Sequence, residues 1–406
     1  MNQMHRTARR EEEKHAAWPQ ARLGDHIDLL TGFPFKSETY SENPTDIPLL
    51  RGDNIGQGSL RWTGVKRWPE KFSTDYSIYK LQEGDVVLAM DRPWIEAGLK
   101  FAAVSRNDLP ALLVQRVARL RGSKSLGTNF LRYVIASKQF TNHILAVQTG
   151  TGVPHISSEQ IKSFRFSLPP LLQQRAIAEV LGALDAKVEM NRRMNETLEA
   201  IASAIFKSWF VDCDMPDSSS LDAIADFLNG LALQKFPPTG EGDLPVIKIA
   251  DLRRGDTKGS DLASGDMPSE YVVDDGDVLF SWSGSLEVVI WCGGKGALNQ
   301  HLFKVTSRNY PRWFYYFWIK EHLRDFRAIA ASKATTMGHI QRHHLTEAQV
   351  GVPSDKLVKA GDALIAPMLN RMICNNLESR TLATIRDALL PKLISGEIRT
   401  RDAAAI

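Results

Sequence analysis

Apolar residues fall at Ile177, Leu181, Leu184, Val188, Leu198, Ala202, Ile205 and Trp209. The steps between them alternate four and three once Asn191 and Asn195 are counted as polar members of the same seam. That period predicts one long amphipathic helix over Leu171–Trp209, with a coiled-coil stripe rather than an all-round buried surface. No Pro and no β-branched run interrupts it, and Gly182 is its one weak position. At about 1.5 Å per residue such a helix is roughly 60 Å long, more than a compact domain needs. A helix of that length is expected to hold two objects apart.

The flanking pattern is of another kind. Residues 1–20 are polar, with blocks of both signs, and predict a flexible arm. From 21 to 168 short apolar runs alternate with turn signals. Ile47–Leu50 reads as a strand entering a turn, Gly84–Met90 as a turn and a buried strand, and Leu112–Leu120 as a further strand. Asn129–Val147 has helical spacing, Thr149–Ile156 reads as a loop, and Pro169-Pro170 marks the start of the long helix.

The same order then returns. Leu244–Leu252 matches the first strand and turn, Gly276–Phe280 the second, and Phe314 and Phe317 match Phe130 and Tyr133. His339 matches His155 at a separation of 184, whereas Gly276 lies 192 beyond Gly84, so insertions loosen the register near the front of each unit. In a second helix Met372, Leu382, Ile385 and Leu389 fall opposite Val188, Leu198, Ile201 and Ile205, and Asn375 falls opposite Asn191. The chain is thus a tandem duplication, with a period far above the roughly 20–50 residues of solenoid repeats. Its expected fold is α+β: two mixed α/β units (21–168 and 213–353) separated by two long helices (169–212 and 354 onward to 406) that pair as an antiparallel coiled coil. Asn191 and Asn375 are the expected register markers. Pro367 predicts a kink or late start in the second helix, Pro391 a bend or stop, and Gly396 a C-terminal cap.

Composition changes this picture little. The 406 residues suffice for two or three domains, and no apolar run is long enough for a membrane span. Three scattered cysteines, Cys213, Cys292 and Cys374, offer no disulfide framework and suit the reducing cytoplasm. Charge is more informative. Leu109–Ser158 holds six Lys or Arg and no acid, and Gly293–Arg342 holds nine against Glu321 and Asp325, a net +7. Asp214–Asp277 is strongly acidic. A basic back half recurring in both units points to a polyanion held at two places.

Motifs for catalysis are missing. No P-loop occurs, and the glycine pairs at 56/58 and 150/152 lack a following Rossmann pattern. No Asp-Pro-Pro or Asn-Pro-Pro precedes an aromatic, the arrangement that positions an amino group for methyl transfer. His339 and His343 have zinc-ligand spacing, but no third ligand is evident and Glu159 stands opposite His343 in the repeat. His155 and His339 are read as loop residues near the basic face, with turn packing as the alternative. The run Trp313–Trp318 could stack on bases but lies where unit one has a helix, so it is expected in the core.

The order of elements resembles the specificity (S) subunits of Type I restriction-modification systems. Leu168-Pro169-Pro170-Leu171-Leu172-Gln173-Gln174-Arg175-Ala176-Ile177-Ala178 is similar to that family's pattern Leu-Pro-Pro-Leu-x-Glu-Gln-x-x-Ile-Ala, with Gln173 in place of Glu. The Gly-Asp-Val strands at 84 and 276 and the closing Leu393, Gly396 and Ile398 also fit, whereas Val352–Lys356 lacks the second Pro-Pro-Leu element. The resemblance implies a non-catalytic subunit whose two target-recognition domains each read half of a bipartite, asymmetric sequence in double-stranded DNA. It implies partners: two modification subunits that bring S-adenosylmethionine, and restriction subunits that use ATP and Mg. No cofactor is expected on this chain, and no membrane. A helix of ~60 Å matches roughly 17 base pairs at about 3.4 Å rise, so the seam acts as a ruler between half-sites.

Phosphate contacts are then expected from the basic halves and base contacts from loop side chains. The candidate DNA-binding residues are Arg51, Asn54, Arg92, Thr151 and His155 in unit one. In unit two they are Lys248, Arg253, Arg254, Ser283, His339 and Gln341. Two other readings compete: a stand-alone DNA methyltransferase or nuclease with a fused reader, and a coiled-coil scaffold without a nucleic-acid role.

Overall fold

The apolar run at 86–89 is buried on both sides because it is the middle strand of a sheet with a core on each face. In the computed structural model, which describes residues 18–150, 152–213, 215, 217–332 and 338–400, the chain divides into two units. Unit 1 runs to Asp185 and resumes at Thr384, and unit 2 is Ala186–Ala383. Of the expected arm, residues 1–17 lie outside the described residues, and Gln20 already belongs to a strand paired with Ser167.

Unit 1 is built on β1 (Ile27–Thr31), β2 (Gln57–Gly58), β3 (Val86–Ala89), β4 (Trp94–Ile95), β5 (Gly98–Leu99), β6 (Phe101–Ala103) and β7 (Val117–Gly122). The main sheet has the order β1-β7-β3-β6-β2, and β4 and β5 form a separate hairpin. Side chains alternate across β3. Val86 and Leu88 face a core shared with α1 (Thr128–Ala136) and α2 (Lys138–Val147), while Val87 and Ala89 face a second core with Leu50, Ala102 and Val117. The expected strand over 112–120 is two strands, Leu112–Leu113 and β7, separated at Arg116, whose φ is +67°. The expected helix over 129–147 is likewise two. Ser137 breaks it, its Oγ accepting the Phe140 N–H at 3.1 Å as the N-cap of α2.

The helix α3 (Leu171–Phe206) starts in unit 1 and continues as a π turn through Val211 in unit 2. Its first turn is fixed by Gln174, which is fully buried. Gln174 Oε1 accepts the Gly127 N–H at 2.9 Å, and its Nε2 donates to Ser125 O at 2.9 Å and Pro169 O at 2.8 Å. One side chain thus closes three backbone groups ahead of two helices, the Pro169 bond buried and the other two part-buried.

Unit 2 repeats the sheet. β8 (Asp226–Asn229), β9 (Val278–Ser281), β10 (Val288–Ile290) and β11 (Leu302–Thr306) stand in the order β8-β11-β9-β10, with β9 as the counterpart of β3. Val278 and Phe280 face the main core, and Leu279 faces a smaller one with Ile247, Trp291 and Leu298. α4 (Arg312–Ser332) carries the aromatic run, all of it buried as expected, with Phe317 and Phe206 stacked at 5.3 Å between ring centres. At about 1.5–3 kcal/mol per fully buried large apolar side chain this cluster is the main stabilising term of unit 2.

α5 (Asp355–Ser395) runs through both Pro367 and Pro391. The late start expected at Pro367 does not occur. Proline removes one helical hydrogen bond at a cost of about 3 kcal/mol, and burial of Ile365, Leu369 and Met372 around it offsets that cost. Gly396 closes the helix at φ +81°, as expected. Within unit 2, α3 and α5 run antiparallel. Asn191 Nδ2 reaches Asn375 O (3.3 Å), Glu378 Oε2 (2.8 Å) and Ser379 Oγ (3.2 Å). Asn195 Nδ2 reaches Met372 O (3.2 Å) and Asn376 Oδ1 (2.7 Å), and Asn375 Nδ2 donates to Asn195 Oδ1 at 2.8 Å. Within unit 1, Asp185 accepts from Arg386 (2.9 Å) and Tyr133 (2.7 Å) and pairs with Arg132, while Leu393 and Ile394 complete the core. Each half of each helix buries its stripe in the unit beside it, so the division falls inside the helices.

Two outcomes test this account. Gln174→Ala removes one buried and two part-buried hydrogen bonds and is expected to lower the unfolding free energy by about 2 kcal/mol, read as a lower denaturant midpoint. In α4, His322 Nε2 donates to Gln349 O at 2.9 Å, the ring stacks on Trp318, and burial holds its pKa below the ordinary 6.5. The unfolded chain therefore binds the proton more readily, so stability is full above about 6.5 and falls as the pH drops below it. His322→Asn should flatten that acid limb in a pH series of thermal midpoints.

Candidate nucleic-acid interface

Past the end of β3 the chain turns at Arg92, whose φ is +45°, and meets the loop before Ser158. Asp91 and His155 form an antiparallel bridge, and His155 also pairs with Thr149. The Ile156 N–H donates to Met90 O at 2.9 Å, the Arg92 N–H to Pro154 O at 2.6 Å, and the Met90 N–H to Arg116 O at 2.8 Å. These backbone bonds bring three side chains together. His155 Nδ1 lies 2.7 Å from Asp91 Oδ1, and Arg116 lies 3.6 Å from the same oxygen and 3.4 Å from the ring nitrogen. A carboxylate at that distance accepts a hydrogen bond from Nδ1–H, which assigns the tautomer and leaves Nε2 as the atom able to contact a ligand.

Unit 2 builds the same arrangement. Ser283 and His339 form the antiparallel bridge, the Ile340 N–H donates to Trp282 O at 3.0 Å, and the Trp282 N–H to His301 O at 3.3 Å. Ser283, His301 and His339 thus stand on the backbone positions of Asp91, Arg116 and His155. Ser283 Oγ lies 3.0 Å from His301 Nδ1, and the Trp282 ring lies 5.9 Å from His301 and 6.3 Å from His339. Two equivalent frames carry different donors and acceptors: a carboxylate, a guanidinium and an imidazole in one, a hydroxyl and two imidazoles in the other.

The structure sorts the sequence candidates. Arg92, His155, Ser283 and His339 belong to these frames. Thr151 lies outside the described residues. Asn54 is buried, its Oδ1 accepting the Arg51 N–H at 3.0 Å and its Nδ2 donating to Arg61 O at 3.1 Å, so both ends of the amide hold a turn. Arg51 lies 3.7 Å from Asp53. Lys248 is held by Asp261 at 2.5 Å, Arg254 by Asp251 and by Asp256 at 2.5 Å, and Arg253 lies 3.7 Å from Glu287. Gln341 occupies the N-cap position of the short helix Arg342–Glu347. Asp91, Arg116 and His301 escaped the sequence reading. The 184–192 residue register could have reached His301 only after Arg116 had been singled out.

The basic halves are reduced by pairing. Arg119 is buried against Asp28, Arg121 is held by Asp85 at 2.5 Å, and Arg132 by Asp185. Lys304 pairs with Asp277 at 2.8 Å, Lys320 with Glu199 at 2.5 Å and Arg327 with Glu287 at 2.9 Å. A count along the chain misses these acids because they lie on other segments. The zinc question also closes on geometry. Glu347 does supply a third group, with ligand atoms of His343, His344 and Glu347 within 4.8 Å of one another. His344 is buried, however, and its Nδ1 accepts the Gln341 N–H at 2.8 Å, which keeps the ring proton on Nε2 and commits the ring to capping. Among the described residues no helix is long and apolar enough to cross a membrane.

Comparison with known proteins adds the following. The profile of the Type I restriction modification DNA specificity domain matches residues 16–200 and again 217–385. The specificity subunit of the Type I restriction enzyme EcoAI of Escherichia coli is 37% identical over 168 residues, 41% of this chain and 28% of that protein. The MjaVIII specificity subunit of Methanocaldococcus jannaschii is 32% identical over 183 residues, 45% of this chain and 43% of that protein. The chain thus spans under half the length of these two relatives. The MjaIX specificity subunit of the same organism is 22% identical over 395 residues, 88% of each chain. The crystal structure of the S subunit from M. genitalium superposes with a TM-score of 0.53 at 15% identity, covering 94% of this chain and 96% of that one, a likeness of fold.

Because Asn54 holds a turn, Asn54→Ala is expected to lower stability by about 2 kcal/mol and to leave any DNA sequence preference unchanged. A binding-site selection with the variant checks this. An altered preference would return Asn54 to the readers.

Proposed function

The chain belongs to the Type I restriction modification DNA specificity family, and from that premise we propose that it is the DNA-recognition subunit of a Type I restriction-modification complex. Each unit reads one half of a bipartite, asymmetric target in double-stranded DNA, and the two long helices set the spacing and dock the modification subunits. The observation that carries this reading is the repeated frame. Asp91, Arg116 and His155 in one unit, and Ser283, His301 and His339 in the other, sit on the same backbone positions with different hydrogen-bonding groups. Equal frames with unequal side chains are what two unlike half-sites require, since base edges are told apart by donor and acceptor pattern.

The chain itself performs no catalysis in this reading. Methyl transfer belongs to two modification subunits with S-adenosylmethionine, and cleavage to restriction subunits with ATP and Mg, all in the cytoplasm. The family match over both units leaves the stand-alone methyltransferase or nuclease without support.

The test is a domain exchange. Residues 21–168 are replaced by the corresponding domain of another family member, and the methylome of a host expressing the chimera with its modification subunit is sequenced. One half of the methylated motif should change and the other persist. A change in both halves, or in neither, would overturn the modular reading.

A further inference from the structure

The two frames differ in one insertion. Ten residue steps separate Asp91 from Phe101 in unit 1, but five separate Ser283 from Val288, the counterpart of Phe101 opposite the central strand. The extra residues are the hairpin of β4 and β5, with Trp94 opposite Leu99 and Ile95 opposite Gly98. Glu96 and Ala97 form its two-residue loop. Gly98, at φ +123°, takes a backbone conformation that side-chain-bearing residues rarely adopt.

The hairpin is anchored on one side only. Leu99 is buried in the core of unit 1, and the Lys100 N–H donates to Pro93 O at 2.7 Å across the hairpin base. Trp94 and Ile95 are 39% and 38% exposed. Directly opposed residues share a face and successive ones alternate, so Trp94 lies on the anchored face with Leu99, and Ile95 lies on the outer face opposite Gly98. An exposed Trp beside an exposed Ile is costly on a surface that meets only water.

The surroundings say what covers it. The base of the hairpin is Arg92, which the Pro154 carbonyl ties to the His155 loop, and Asp91 next to it holds His155 and Arg116. Lys100 is flanked by Arg61 and Arg92, with Asp53 and Asp91 near it. Three cations, Arg61, Arg92 and Lys100, thus stand near the base of the apolar tip together with Asp53 and Asp91, and the tip is continuous with the frame of Asp91, Arg116 and His155. Cations that contact phosphates around an apolar centre that contacts base edges are the chemistry of a nucleic-acid groove rather than of a protein partner.

We propose that the Trp94–Ile95 tip is a specificity-determining element of unit 1, with Ile95, on the face away from Leu99, contacting the 5-methyl group of a thymine in the major groove of its half-site. Unit 2 lacks the insertion and reads its half without such a contact. This proposal rests on the DNA-recognition reading above.

The test uses the chain assembled with its cognate modification subunits, on duplexes carrying the target found by methylome sequencing. Each thymine of the unit 1 half-site is replaced in turn by deoxyuridine, which deletes one methyl group and no hydrogen bond. One replacement should weaken binding about fourfold, the worth of one buried methyl. The same replacement should change nothing in the Trp94→Ala/Ile95→Ala double variant, and replacements in the unit 2 half-site should affect both proteins alike. The proposal is overturned if no thymine in the unit 1 half shows the effect, if that half contains no A·T pair, or if the double variant keeps the full loss. Absence of any bipartite motif would instead remove the DNA-recognition reading itself. Retention of the unit 2 half-site by the double variant separates loss of a contact from loss of folding.

Discussion

Asn191 and Asn375 are buried amides whose hydrogen bonds are closed across the two long helices, and the helical part of unit 2 depends on that closure. Asn191 donates to groups at 375, 378 and 379, and Asn375 donates to Asn195. Shifting one helix by a turn would leave these donors buried against apolar side chains, at a cost of about 1–3 kcal/mol each. The apolar stripe alone tolerates such shifts, because Leu, Ala and Met positions recur with the same period. The Oδ1 atoms of both asparagines lack a partner among the described residues, so the arrangement gives up stability for a single register.

The same logic governs the two sheets. In each, a fully buried central strand with a core on both faces makes its end a fixed point. From that end the chain can present side chains at set positions while their identities vary. A carboxylate fixes an imidazole in unit 1, and a hydroxyl meets a second imidazole in unit 2. The backbone bonds around them are nearly the same, so the side chains at these positions can differ between units while the frame persists.

Much of this was legible along the chain. The duplication, the antiparallel helices, the buried strands at 86 and 278, the aromatic core of α4 and the Gly396 cap all follow from local pattern or from a residue's own backbone preference. Each is a property of neighbours in sequence, or of one period repeated. Ser137 shows the limit. Its capping role splits a helix in unit 1 that stays whole in unit 2, and apolar spacing alone is blind to that difference.

What only the tertiary structure decided is which polar groups are spent inside the protein. Lys248, Arg254, Arg119 and Arg121 read as surface cations, and carboxylates tens of residues away or around a turn hold them. Asn54 reads as a base-reading amide and is a buried turn clasp. Asp91, Arg116 and His301 give no signal in sequence, because three distant segments bring them together through backbone bridges. Sequence determined the elements and their repetition, since those rest on periodicity and local propensity. The structure determined the site, since charge pairing and side-chain convergence depend on distances that sequence separation does not encode.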